Sequence, residues 1–212
     1  MELKRFVVGV GDVNCYILSD DNKVGVIVDP GDDGDKLIDY IEKEGIELKA
    51  IILTHYHYDH ILALEEVRDR FNIPVLIHKE DFEGLNNPEI NLSANRPVGS
   101  VSVEADKTLE DGEILNFGEM RLEIIHTPGH TGGCICIKIH NILLTGDTLF
   151  KNSLGRTDLV GGSYERLVES VKGKLLTLDD DIVVYPGHYD QSTLGVERRN
   201  NPKIQRILKE FC

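Results

Sequence analysis

The chain has 212 residues, 41% hydrophobic and 28% charged, which excludes a disordered or collagen-like protein and leaves room for one sizeable core or two small ones. Its formal net charge of −14, from 23 basic and 37 acidic residues, repels a polyphosphate backbone, so nucleic acid is no expected partner and most carboxylates read as solvated surface. In the opening stretch MELKRFVVGVGDVN glycines and an aspartate break the apolar patch, so no secretory core or membrane span is expected, and a cytoplasmic protein without a membrane partner is.

No repeat or linker interrupts the sequence, and it reads as one domain, 1–212. Residues 2–29 form short apolar stretches separated by Gly and Asp/Asn turns, which predicts hairpin-connected strands. The segment 32–45 predicts a helix with an Asp cap, Leu37, Ile38 and Ile41 at helical spacing, and Gly45 as its stop. AIILT (50–54) predicts a buried strand, 61–71 a helix and 73–78 another strand. In the second half, 113–127 predicts a hairpin around Gly118, followed by strands GCICIKIH and NILLTGD with a turn near Asn141. Cys134 and Cys136 share one face of that run and read as packing residues; with Cys15 and Cys212 they show no framework spacing, which fits a reducing compartment. The segment 163–178 is amphipathic with a Ser or Gly start, 181–188 predicts strand then loop, and 193–211 is helical. Strands followed by helices, twice over, predict an α/β fold of two mixed sheets with helices on the outer faces, a four-layer αββα sandwich.

Polar residues collect where the apolar runs end: His55, His57, Asp59 and His60 in HYHYDH, His130 in TPGHTGG, Asp147 in LLTGD and His188 in YPGH. Imidazoles and carboxylates at one edge of a sandwich suit zinc, iron or manganese, and alternate positions 55, 57 and 59 can direct side chains to a common side. The set is large enough for two divalent ions with Asp147 between them. His78 and His140 read as structural.

THYHYDH, TPGHTGG, GDTLF and YPGH together resemble the metallo-β-lactamase-fold hydrolases through nearly the whole chain, and GDTLFKNSLGRTDLVGG with STLGVERRNNP resembles their glyoxalase II-like, or hydroxyacylglutathione hydrolase-like, group. The resemblance implies one ion on His55, His57 and His130, another on Asp59, His60 and His188, and a bridge at Asp147. It departs from the family at Tyr189, where a glycine is common, and at Asp158, where a glutathione-holding tyrosine is expected. Few residues follow His188, so no separate C-terminal glutathione-binding helical domain is expected. Arg156, Lys151, Arg198 and Tyr189 are candidate substrate contacts. Asp29, Thr54, Thr127 and Thr131 are candidate partners for the histidines' second nitrogens, Asp29 with a turn role besides. The implied chemistry is attack on a carbonyl by a hydroxide held between two metals, with Asp59 orienting it and Asp147 as bridge. A thiolate leaves with little help whereas an amide nitrogen needs a proton, so the expected substrate is a small-molecule thioester, with activated esters or lactones behind it. Two alternatives stay open: a persulfide dioxygenase with a single iron on His55, His130 and Asp147, suggested by GRTD (155–158), and a metal-bearing binding or electron-transfer module without turnover.

Overall fold

The glycine-punctuated N-terminus folds as antiparallel strands β1 (Glu2–Val8), β2 (Val13–Ser19) and β3 (Val24–Val28). Strands β4 (Glu47–Ile52), β5 (Val75–His78) and β6 (Lys107–Leu109) extend this sheet in parallel, in the order β1-β2-β3-β4-β5-β6. The second sheet contains β7 (Ile114–Phe117), β8 (Met120–His126), β9 (Ile135–Ile139) and β10 (Ile142–Gly146). After a separate small hairpin of β11 (Leu149–Phe150) and β12 (Ser153–Leu154), it is completed by β13 (Val183–Pro186) and β14 (Ser192–Thr193), in the order β14-β13-β10-β9-β8-β7. Its β10–β13 pair is parallel and its other pairs are antiparallel, so both sheets are mixed. This computed structural model describes residues 1–9 and 11–210; Cys212 and the last position of the expected C-terminal helix lie outside the described residues.

Period-two alternation builds the layers. Along β4 and the residue after it, Ile51 and Leu53 face outward onto α1 (Gly34–Glu44) and α2 (Leu64–Phe71), meeting Leu37, Ile41, Leu64 and Val67, while Ala50 and Ile52 face the second sheet. Both faces are therefore apolar, which is why this parallel strand reads as an unbroken hydrophobic run. Between the sheets, Leu18, Val28 and Ile52 pack with Leu122, Ile137 and Leu144. After the short α3 (Phe82–Leu85) come α4 (Tyr164–Gly173), α5 (Leu194–Asn200) and α6 (Pro202–Glu210); these last three cover the other outer face, where Leu167, Val171, Ile204 and Ile207 meet Cys136, Leu143 and Val184. Cys136 thus packs, as expected. The result is the αββα sandwich.

Local signals act largely where expected. Gly45 ends α1 at φ 66, and Ser163 caps α4 by accepting from the Arg166 N–H. At α1 the cap position falls on Asp33, but its side chain makes no cap hydrogen bond and its backbone is left-handed. The helix expected over 61–71 starts at Leu64, because Tyr58–His60 form a 3-10 turn first. The C-terminal helix is two, divided at Asn201, since Pro202 cannot donate into a preceding turn. Strands β8, β10 and β13 run in the same direction, β8 and β10 on either side of the antiparallel β9, and end at the same edge, where the Thr54 carbonyl, just beyond β4, accepts from the Ile135 N–H at 3.0 Å. Among the described residues, no helix is long and apolar enough to cross a membrane.

Candidate metal centre

The loop after β4 is pinned before it delivers its histidines. The Thr54 N–H and hydroxyl donate to the two carboxylate oxygens of Asp29 at 2.8 and 2.6 Å. Asp29 turns the chain after β3 at φ 52, and its Oδ2 also accepts from His60 Nδ1 at 3.0 Å. From that anchor the backbone is extended at His57, then tightens into the 3-10 turn with the His60 N–H donating to the His57 carbonyl at 3.0 Å. This switch buries His55, His57 and His60 together.

His130 arrives from the loop after β8, Asp147 from the end of β10 and His188 from the loop after β13. Four imidazoles are tethered through Nδ1: His55 lies 3.0 Å from Thr54 Oγ1, His60 donates to Asp29, His130 donates to the Arg156 carbonyl at 2.8 Å and His188 to the Gly11 carbonyl at 3.1 Å. The remaining donor atoms converge. Those of His55, His57 and His130 lie within 4.8 Å of one another, as do those of Asp59, His60 and His188. Asp147 stands between the triads, with Oδ1 3.5 Å from His60 Nε2 and Oδ2 3.5 Å from His130 Nε2 and 3.6 Å from His188 Nε2. These separations reach or exceed the limit for a hydrogen bond. Two ligands bonded to one ion at tetrahedral angles sit roughly 3.3–3.6 Å apart.

Four buried atoms, His55 Nε2, His57 Nε2, His60 Nε2 and Asp147 Oδ1, have no hydrogen-bond partner among the described residues. Each buried orphan costs about 1–3 kcal/mol; His57 turns Nδ1 rather than this Nε2 to His130 Nε2, at 2.9 Å, so the orphaned atoms of His55, His60 and Asp147 are the ones that fit a site completed by cations. These His/Asp clusters are able to bind metal. The electrostatics agree: burial first, then the neighbouring imidazoles, hold His55 well below the usual histidine range, and burial and His130 push His57 down to about 2. Both are therefore neutral, the form that offers a lone pair. Burial opposes charge on His60 as well, but Asp147 and Asp29 outweigh it and raise that imidazole to about 10, so positive charge is favoured between the two carboxylates. Burial also works against the Asp59 carboxylate, yet His188 and His60 hold it below its ordinary value.

Other expected residues are placed less uniformly. Thr131 and Thr127 serve no histidine: Thr131 donates to Asp81 at 2.6 Å, and Thr127 pairs with Thr148 at 3.0 Å. Arg156 makes a bidentate pair with Asp158 at 2.8 and 2.7 Å, both side chains exposed, while its carbonyl orients His130. Arg198 is a correction. Its guanidinium donates to the Leu176 and Leu178 carbonyls at 3.0 and 2.7 Å and pairs with Asp180, which precedes β13 and so lies at the opposite end of that strand from His188. Lys151 approaches Asp190, and Tyr189 lies exposed beside Phe150, both near His188. His78 stacks on His126 at 3.8 Å, and His140 occupies an exposed turn.

Three supports carried no sequence signal. Asp81, fully buried, accepts from the Thr131 hydroxyl and the Gly133 N–H, both at 2.6 Å, and so fixes the His130 loop; burial raises it to about 7 against these hydrogen bonds. Asn14 Nδ2 donates to the Pro186 and Tyr189 carbonyls at 2.9 and 2.8 Å, bracketing His188. Gly187 admits the close approach: a Cβ there would run into Asp147 Oδ1 and lie 2.8 Å from His60 Cε1.

Comparison with known proteins agrees with this geometry. Residues 8–188 match the profile of the Metallo-beta-lactamase superfamily. The chain is 39% identical over 206 residues to a probable metallo-hydrolase, YqgX, of Bacillus subtilis, covering 95% of this chain and 97% of that protein. It is also 39% identical over 195 residues to the hydroxyacylglutathione hydrolase GloC of Haemophilus influenzae, covering 89% and 91%. Among solved structures, the BLEG-1 B3 metallo-beta-lactamase superposes with a TM-score of 0.91 at 36% identity, covering 96% of this chain and 99% of that one.

Proposed function

Because the chain belongs to the metallo-beta-lactamase superfamily, we propose that it is a dinuclear metal-dependent hydrolase acting on small acyl thioesters. Asp147 carries the dinuclear reading, since it lies 3.5–3.6 Å from histidines of two separate triads. His55, His57 and His130 would hold one ion, Asp59, His60 and His188 the other, and Asp147 would reach both. Divalent ions, zinc first and iron or manganese next, polarise a carbonyl and lower the pKa of water from about 15.7 to about 7. The chain's own groups do the positioning. Asp29 and the Arg156 and Gly11 carbonyls hold protons on Nδ1 of His60, His130 and His188, which leaves each Nε2 lone pair facing inward. Asp59, whose side chain is 26% exposed against 10% for Asp147, faces the open side and orients the attacking water by accepting its O–H.

Thioesters are favoured because a thiol of pKa about 8.5 departs as thiolate without a dedicated acid, whereas an amide nitrogen must be protonated. The similarity to GloC supports the same class. The complete second triad weighs against the single-iron dioxygenase, which leaves Asp59, His60 and His188 unused. The test is elemental analysis of protein purified without added metal, with thiol release from lactoylglutathione, hydrolysis of a chromogenic cephalosporin and oxygen uptake with glutathione persulfide measured on the same sample. About two ions per chain with thiol release is expected. One iron with oxygen uptake, cephalosporin cleavage without thiol release, or no turnover of any kind would overturn the proposal.

A further inference from the structure

Arg5 belongs to β1 in the first sheet, yet its side chain reaches the loop after β13 in the second. Its Nη1 donates to the Tyr189 carbonyl at 3.3 Å and stands 3.9 Å from Asp190 Oδ1. From the other side Lys151, at the turn of the β11–β12 hairpin, brings Nζ to 3.6 Å from Asp190 Oδ2. Two cations from separate elements thus share one carboxylate that is 71% exposed and closely bonded to neither. Arg5, Asp12, Asn14, His188, Tyr189 and Asp190 line an open cleft of about 280 Å³ at this point, so Arg5 borders a space that touches the candidate metal centre and Lys151 reaches its edge through Asp190.

Tyr189 is the second observation. Its φ of 68 is a left-handed conformation in which a residue with a Cβ is crowded, and a bulky one there is uncommon. The strain obtains no burial in return, since the ring is 68% exposed and stands edge-on to Phe150 at 5.5 Å. Strained backbone that holds an exposed aromatic beside a reactive centre is a common feature of ligand-binding loops.

We infer that Arg5, Lys151 and Tyr189 form a subsite for a carboxylate carried by the substrate, and that Asp190 occupies the subsite until that carboxylate displaces it. The arginine fork matches a carboxylate, and the phenol ring offers a face to the chain that bears it. On a protein of net charge −14, with Asp12 in the same cleft, these two cations decide whether an anionic thioester is admitted. The kinetic form of this inference rests on the hydrolase reading; the binding form does not.

The test pairs kinetics with binding. KM is measured for acetyl and succinyl thioesters of N-acetylcysteamine, a neutral carrier, and for acetylglutathione, on wild type, Arg5→Ala, Lys151→Ala and Asp190→Asn. Lys151→Ala and Arg5→Ala are each expected to raise the charged-to-neutral KM ratio about threefold to tenfold, and Asp190→Asn to lower it by a similar factor. The succinyl and glutathione arms tell whether the carboxylate comes from the acyl group or the carrier. Equal changes for neutral and charged thioesters, or an Asp190→Asn ratio that rises, would show Arg5 to be a mere support of the Tyr189 loop and overturn the inference. Separately, glutarate and S-methylglutathione are titrated into zinc-loaded protein while the Arg5 Nε–H resonance is followed by NMR. A shift that tightens in Asp190→Asn and weakens in Lys151→Ala sustains the subsite even if no thioester is turned over, in which case the hydrolase proposal alone falls. Absence of any shift, with thioesters hydrolysed irrespective of charge, sinks the subsite and leaves the hydrolase standing.

Discussion

Asp29→Asn tests how the protein prepares one imidazole for a cation. The carboxylate is buried at 1% exposure and accepts three hydrogen bonds: one on Oδ1 from the Thr54 N–H, two on Oδ2 from the Thr54 hydroxyl and His60 Nδ1. An amide of the same shape cannot accept all three. With its oxygen at the Oδ2 position, its NH2 confronts the Thr54 N–H, and one buried donor pair is opposed; reversed, it offers a donor to His60 Nδ1. That second arrangement moves the imidazole proton to Nε2, which then points a hydrogen, not a lone pair, toward Asp147. Losing one buried hydrogen bond costs about 1–3 kcal/mol of stability. A misassigned second partner typically lowers metal affinity about 10- to 100-fold, or roughly 1.4–2.7 kcal/mol. Because His60 belongs to the triad with Asp59 and His188, the loss should fall on one ion and spare the site of His55, His57 and His130. Competition with a graded series of chelators, read by elemental analysis, resolves the two affinities, and thermal melts of loaded and stripped protein separate binding from stability. Two ions held as tightly as in wild type would refute both the tautomer reasoning and the placement of His60 at a metal.

Asp147→Ala should lose both ions and activity while the stripped protein still melts cooperatively; two retained ions with normal turnover would dismiss Asp147 as the bridge. Gly187→Ala should destabilise by about 1–3 kcal/mol and weaken metal binding, because the new Cβ must displace Asp147 or His60; an unchanged melting temperature and metal content would show that the loop yields freely. His78 titrates away from the centre: burial, then His126, pushes it down to about 4, so between about pH 6.5 and 4 the unfolded chain binds the proton that the folded one refuses. Stability is therefore present above that window and lost as pH falls through it, at up to about 1.4 kcal/mol per unit. His78→Gln, which keeps an acceptor for the Glu80 N–H, should melt with a flatter pH dependence than wild type, and parallel curves would contradict this.

The division between what the sequence displayed and what it hid follows from what each role demands of a residue. A metal ligand must have a particular side chain and must stand where a strand leaves its ladder, so the proposed ligands His55, His57, His60, His130, Asp147 and His188 could each be picked out beside an apolar run. The alternation of Ile51 and Leu53 with Ala50 and Ile52 made the strand itself equally plain, since both faces are buried in layers that tolerate few polar atoms. The groups that orient the ligands obey no such rule. His130 and His188 are steered by the carbonyls of Arg156 and Gly11, and every residue owns a carbonyl, so the sequence carries no mark of the task. Asp81 grips Thr131 and Gly133 from 50 and 52 positions away, across a segment whose α3 and β6 are too short for a period to show. Arg5 meets Tyr189 at a separation of 184 residues. Arg198 misleads for the converse reason: it is near His188 in the chain, but β13 carries the strand's beginning, where Arg198 is bound, away from the edge where its end delivers the histidine. Chemical identity was therefore legible at the centre, while orientation and admission, which depend on which loops two separate sheets bring together, appear once the sheets are packed.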